Sequence, residues 1–275
     1  MQQIKIEEPA LSYRIKEAYK SLRTNLMFCG ADKKVICVTS CMEDEGKSTV
    51  ARMLAISIAQ SGKHVMLVDA DMRKSILTGL VHLEGHRSVG GLSHYLSGQV
   101  YVSDIICQTS IPGFDMIFSG PFPPNPAELL LGDRFRLMIS ALRNGYDYVI
   151  IDTPPLGVVT DAAVVADRCD GSVLVIASDA IGYRFAQDIV AQLQRANCPI
   201  LGTVLNKVDT RHSGGYYGGR YYGKYYGKYY GKYGKYGYGY GGYQSGTSDS
   251  MSGQKNQVAD STPASTAENQ KGGKS

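Results

Sequence analysis

The sequence predicts an α/β protein built on a doubly wound, mostly parallel sheet, and three observations carry that prediction. Short β-branched, apolar runs alternate with helix-like stretches across residues 35 to 206. The strand-like runs are apolar almost without interruption, which suits strands covered on both faces. One of them leads directly into Gly46-Lys47-Ser48 at the opening of a helix, the strand-loop-helix setting of a phosphate-binding loop.

The elements follow in order. Residues 12–28, SYRIKEAYKSLRTNLMF, read as an amphipathic helix, with Tyr19, Leu22 and Leu26 on an apolar side and Arg14, Glu17, Lys20 and Arg23 polar at helical spacing. KKVICVTS (33–40) is the first strand and GKSTVARMLAISIAQSG (46–62) the helix after it, ending at a glycine. KHVMLVDAD (63–71) and FDMIFSG (114–120) are strands, and NPAELLLGDRFRLMISALRNG (125–145) is read as one helical stretch. YDYVIIDTPP (146–155), GSVLVIAS (171–178) and PILGTVLNKV (199–208) complete the strands, with the helix GYRFAQDIVAQLQRANC (182–198) before the last. The expected organisation is a helical segment over 1–32, one α/β domain over 33–210, a Tyr/Gly/Lys-rich stretch over 211–243 and a polar tail over 244–275. The last two lack the apolar content to bury a core and are expected to be disordered.

The charge is unevenly spread. Residues 211–243 carry six basic side chains and no acid, and residues 244–275 carry three of each sign, so 20 basic and 22 acidic groups remain over residues 1–210. The mildly acidic body argues against nucleic-acid binding, for which the tail is the one basic candidate. Six cysteines (29, 37, 41, 107, 169 and 198) show no CxxC pair and no histidine cluster, and are read as reduced thiols. The polar N-terminus has no signal-peptide character, and no run approaches the ~20 apolar residues of a spanning helix, so the body is expected to be soluble.

TSCMEDEGKST (39–49) carries the strongest local chemistry: backbone N–H groups over Met42, Glu43, Asp44, Glu45, Gly46, Lys47, Ser48 and Thr49 surround a phosphate chain, Lys47 neutralises it, and the Ser48 hydroxyl reaches Mg²⁺. Cys41 stands where the usual loop has glycine. It is read chiefly as a small filler, and secondarily as an oxidation-sensitive thiol in an electropositive loop. VMLVDADMR ends a strand with Asp69 and Asp71, placed on one face by their spacing, and YVIIDTPP ends another with Asp152, the expected metal-side acid. Three acids at strand ends beside Gly-Lys-Ser make a nucleotide site.

The same residues resemble a family. VDADMR (68–73), SGPFPPNPAELL (119–130), DTPPLGVVTDA (152–162), LGTVLNKV (201–208) and EAYKSLRTNLMF (17–28) are similar to motifs of the bacterial tyrosine kinases, P-loop enzymes that govern capsule and exopolysaccharide assembly. The resemblance covers residues 12–210 and implies ATP and Mg²⁺ as cofactors. It makes Lys47, Asp69, Asp71 and Asp152 catalytic, with Ser48, Asp69 and Asp152 on the metal and Asp71 or Asp69 nearest the incoming hydroxyl. It makes the tail the substrate, phosphorylated in trans at Tyr216, Tyr217, Tyr221, Tyr222, Tyr225, Tyr226, Tyr229, Tyr230, Tyr233, Tyr236, Tyr238, Tyr240 and Tyr243.

Glu17, Lys20 and Arg23 match the family's ring-forming Glu-x-x-Arg-x-x-Arg imperfectly, since lysine replaces one arginine and loses its bidentate fork. Ser75 replaces a common proline, which is expected to alter only a loop, while Arg73 is retained for phosphate or a neighbouring subunit. The resemblance further implies the split type, held at the inner face of the membrane by a transmembrane chain-length regulator whose cytoplasmic C-terminal segment docks on the kinase. A cognate phosphotyrosine phosphatase belongs to the same picture, and no nucleic-acid partner does. The rival is a partition- or septum-positioning-type ATPase acting as a switch; it would carry a lysine early in the loop, where this chain has Ser40-Cys41-Met42. The tail alone would also suit nucleic-acid stacking or self-association.

Overall fold

The computed structural model describes residues 2–6, 8–77, 79 and 90–209. The tyrosine cluster and the polar tail lie outside the described residues. The chain divides into units Met1–Gly214 and Gly215–Ser275, and everything described belongs to the first.

The elements run β1 (Gln2–Ile4), α1 (Tyr13–Phe28), β2 (Val35–Ser40), α2 (Lys47–Ala59), β3 (Val65–Asp69), α3 (Leu92–Leu96), α4 (Val102–Ile105), β4 (Cys107–Thr109) and β5 (Phe114–Ile117). They continue with α5 (Pro126–Leu131), α6 (Asp133–Gly145), β6 (Tyr148–Asp152), α7 (Asp161–Ala166), β7 (Gly171–Ala177), α8 (Tyr183–Arg195) and β8 (Ile200–Asn206). One eight-stranded sheet has the order β1-β4-β5-β3-β6-β2-β7-β8, with every neighbouring pair parallel except β4–β5.

The continuous apolar runs explain why β2, β3 and β6 lie in the middle. Alternate residues of a strand face opposite sides, and here both sides are covered. Val35 and Cys37 of β2 join a core with Phe135, Met138 and Leu142 of α6 and Ile189 and Leu193 of α8. Ile36 and Val38 join the opposite core, with Leu54 and Ile58 of α2, Phe114 and Leu26 of α1. As expected from its pattern, α1 lays Leu26 into this second core with Tyr19 and Leu22 against it. Its start is capped by the Ser12 hydroxyl, which accepts from Ile15 N at 3.5 Å.

The structure departs from the sequence reading in three places. The stretch 125–145 is two helices, broken at Gly132, whose extended backbone (φ −65°, ψ 158°) serves both as the end of α5 and as the N-cap of α6. β1, β4, α3, α4 and α7 have three to six residues each, too few for a period to declare itself. Finally, β3 stops at Asp69, so Asp71 belongs to the loop beyond it and reaches the site by a turn. No helix of the described residues is long and apolar enough to cross a membrane.

Candidate functional site

The site forms where β2, β3 and β6 end together, the carboxyl edge at which open α/β sheets bind ligands. The loop from Cys41 to Gly46 joins β2 to α2, and its shape is held from inside by Glu45, which is 2% exposed. One Glu45 oxygen accepts the N–H groups of Cys41 at 2.7 Å and Met42 at 2.8 Å, and the other accepts Ala177 N at 3.2 Å. The end of β8 adds a second tie: Asn206 Nδ2 donates to Glu45 O at 2.9 Å, and Lys207 Nζ donates to the Asp44 carbonyl.

Gly46 sits at φ +91°, and a Cβ there would meet Asn206 Nδ2 at 2.2 Å. Glycine is therefore required by conformation and by space. Gly46→Ala is expected to weaken ADP binding at least tenfold by isothermal titration calorimetry, because the loop must shift off Asn206 to take the methyl group.

Cys41 is fully buried, and burial together with the nearby Glu45 carboxylate pushes its thiol up to about 12. That favours the filler reading over the reactive one, since the thiolate is the nucleophile. Peroxide treatment followed by peptide mass spectrometry is expected to leave Cys41 unmodified; selective oxidation there would contradict this.

Asp69 and Asp152 lie opposite one another in the register of β3 and β6. Asp152 is 1% exposed and neither of its oxygens receives a hydrogen bond of good geometry. Burial, then the Asp69 charge, push it up to about 8, tempered by Lys47 and the Ser48 hydroxyl. Asp69 is pushed up to about 6, chiefly by burial and with a contribution from Asp71, while hydrogen bonds from Ser75 and Ser119 oppose the rise. Asp71 faces Lys47 Nζ at 3.2 Å and accepts the N–H groups of Arg73 at 3.3 Å and Lys74 at 3.0 Å. Arg73 forms a bidentate pair with the buried Asp161 of α7, at 2.8 and 3.0 Å.

Asp71 and Arg73 open onto a cavity of about 370 Å³, while Asp69 and Asp152 lie buried outside its lining. Glu43, Asp44, Gly46, Lys47, Ser48 and Thr49 line it, whereas Met42 and Glu45 do not. Asp71, Arg73 and Lys74 form a second wall, and Pro154, Pro155 and Val158 an apolar third. A larger hollow of about 520 Å³, between β1 and the loop after β4, holds no comparable cluster of charge.

A divalent cation fits the acids. Two unpartnered carboxylate oxygens on a buried aspartate, beside a serine hydroxyl and two further acids, ask for positive charge. Among the described residues no group of three or more His, Cys, Asp or Glu is arranged to hold a metal alone. Mg²⁺ takes one or two carboxylates and completes its shell with phosphate oxygens and water, so Asp152 with Ser48 could serve it.

Of the other residues singled out in the sequence, Glu17 and Lys20 form an exposed ion pair at 2.7 Å, while Arg23 Nη1 donates to the Ser57 carbonyl at 2.7 Å and ties α1 to α2. Ser75 does more than alter a loop, for its hydroxyl donates to Asp69 Oδ2 at 2.5 Å. Glu45, Asn206 and Lys207 shape the loop without any local sequence signal for that part. All thirteen tail tyrosines lie outside the described residues.

Fold and site together define a P-loop nucleotide-binding protein, and residues 33–197 match the family model of the AAA domain. A tyrosine-protein kinase CpsD of Streptococcus agalactiae is 42% identical over 196 residues, which is 71% of this chain and 85% of the relative. The solved kinase domain of the Escherichia coli tyrosine kinase Etk is 35% identical with a TM-score of 0.65, over 73% of this chain and 80% of that one. The cell division ATPase MinD of Pyrococcus furiosus, 22% identical with a TM-score of 0.53 over 64% of this chain and 74% of its own, shares the fold alone. The chain belongs to the family of bacterial tyrosine kinases.

Proposed function

We propose that the protein is an ATP- and Mg²⁺-dependent protein-tyrosine kinase that phosphorylates the tyrosines between Tyr216 and Tyr243 of a second copy of itself, and so regulates capsular or exopolysaccharide polymerisation and export. The observation that carries this reading is Lys47 paired with Asp71 at the mouth of a cavity ringed by the phosphate loop, in a chain of the tyrosine-kinase family that also carries thirteen phenols within 30 residues.

Lys47 and the loop N–H groups would hold the phosphates, with Ser48, Asp152 and Asp69 around Mg²⁺, whose charge would offset that of the phosphate chain. Asp71 is the better candidate for the acid nearest the acceptor hydroxyl. It lines the cavity and faces Lys47, whereas Asp69 is fully buried and held by Ser75. A phenol of ordinary pKa, ~10, must lose its proton during attack, and Asp71 would take it. Positioning and charge neutralisation supply most of the acceleration in phosphoryl transfer.

Glycines between the tyrosines suit a strand that presents many phenols in turn to one cleft. Six positive charges over residues 211–243 favour docking on the mildly acidic body, or on an anionic membrane, until each phosphate adds ~−1.5 to −2. Five phosphates outweigh the six cations. The phosphorylated chain is therefore expected to leave the homo-oligomeric ring, in which Glu17, Lys20 and Arg23 take part. Light scattering across a salt series checks this, and an unchanged oligomer with unchanged salt dependence would contradict it. The same reading assigns a transmembrane chain-length regulator as activating partner at the inner membrane face, and a cognate phosphatase.

The switch-ATPase reading shares the fold, but the absent early lysine and the tyrosine-rich tail disfavour it. Intact mass after incubation with Mg·ATP separates the two. A phosphate ladder confined to residues 216–243 supports the kinase, and ATP hydrolysis without any ladder supports the switch.

A further inference from the structure

Both oxygens of Asp69 are committed to the chain. Oδ2 receives the Ser75 hydroxyl at 2.5 Å, and Oδ1 receives the Asp71 N–H at 3.2 Å. Asp71 repeats the pattern one step on, its Oδ1 gathering Arg73 N and Lys74 N while its Oδ2 faces Lys47. The segment 70–75 is thus a loop wound around two carboxylates, with Ser75 as the clasp that returns it to the end of β3. An aspartate's χ2 is a soft, roughly two-fold torsion. Donors on both oxygens turn that soft torsion into a single setting, and this matters because Asp152 lies directly opposite and neither of its oxygens receives a hydrogen bond of good geometry.

We propose that Ser75 is a positioning residue for phosphoryl transfer, its hydroxyl locking the Asp69 carboxylate and, through the turn that Asp69 nucleates, holding Asp71 against Lys47. The inference rests on the kinase reading above. A residue without a hydroxyl at this position removes the Oδ2 donor of Ser75 and leaves the Asp69 carboxylate to the Asp71 N–H and Ser119. The carboxylate then turns between Ser75's former place and the Asp152 side, and the loop bearing Asp71 loosens.

The test uses the full chain with three substitutions, Ser75→Thr, Ser75→Val and Ser75→Ala. Threonine and valine have the same shape and differ by the hydroxyl alone, so their comparison holds even where alanine folds poorly. Two quantities are read: kcat and KM for tyrosine phosphorylation, and the gain in ADP affinity on adding Mg²⁺, from calorimetry with and without the metal. The expected result is kcat about tenfold lower in the valine and alanine chains with KM and metal-free ADP affinity unchanged, the Mg²⁺ gain reduced at least fivefold, and the threonine chain near the natural one. A valine chain that melts earlier yet keeps its kcat and its Mg²⁺ gain would overturn the inference and leave Ser75 a structural residue. A natural chain that binds Mg·ADP but labels no tyrosine would overturn the kinase reading instead, while the Mg²⁺ gain would still decide the role of Ser75.

Discussion

Lys47→Met is expected to lower tyrosine phosphorylation by at least about 10²–10³-fold, the loss that follows removal of one preorganised charge from a site where charge develops. Lys47 stands at the N-terminus of α2 with only 12% of its side chain exposed and is 3.2 Å from Asp71, itself 3% exposed. Its ammonium is thus held in place before substrate arrives, in surroundings that screen it poorly. The same substitution strips Asp71 of its cation while Asp69 and Asp152 remain beside it. Removing one partner of a buried pair leaves an uncompensated charge, and the variant should also melt several degrees lower. Intact-mass kinetics and a thermal melt read the two effects together. A variant that kept its phosphorylation rate would mean that Lys47 is not at the reacting phosphate.

Asp152→Asn should do the opposite to stability while also abolishing phosphorylation. In the nucleotide-free chain Asp152 is raised to about 8, against 3.8 for an unperturbed aspartate. Between those values the folded chain keeps a proton that the unfolded chain releases. The stability contributed by this group is therefore fully present below about pH 4 and is lost as pH rises toward 8. At ~1.4 kcal/mol per pKa unit, discounted by about half for relaxation and water entry, asparagine should recover ~3 kcal/mol at pH 8. That is a rise in Tm of about 6–12 °C for a domain of this size. At pH 4 the two chains should melt together. Calorimetry across pH 4–9 without nucleotide or metal checks the slope, and an asparagine chain less stable than the natural one at pH 8 would contradict it.

How much of this was legible beforehand depended on how locally each feature is encoded. Gly46-Lys47-Ser48 after a buried strand identifies the loop because sequence neighbours make it. Asp69 and Asp152 are legible because they end apolar runs. Glu45 looked like one more loop residue facing nucleotide, and only the approach of Ala177 and Asn206, more than a hundred residues away, explains why it is buried. Arg73 finds Asp161 by the same kind of long-range closure. Ser75 looked like a loop substitution because its partner lies six residues back, across a turn that an extended reading of Asp69 and Asp71 did not contain. The break at Gly132 escaped because the apolar spacing of α5 continues into α6, and β1 and β4 are too short to carry a period. The domain could be read from apolar pattern and strand-end chemistry. The shape of the loops around it could not, because the contacts that set it exist only after folding.

Phosphorylation in trans requires that one copy's catalytic site act on another copy's tail. It is tested most directly by mixing two chains that each lack half of the reaction. One carries Lys47→Met with its tyrosines intact; the other keeps Lys47 but has phenylalanine at all thirteen tail positions from Tyr216 to Tyr243. With Mg·ATP, neither chain alone should gain mass, and the mixture should place phosphates on the Lys47→Met chain within residues 216–243. If the mixture stays unmodified while the natural chain acquires its ladder, transfer takes place within one chain and the claim of phosphorylation in trans is wrong.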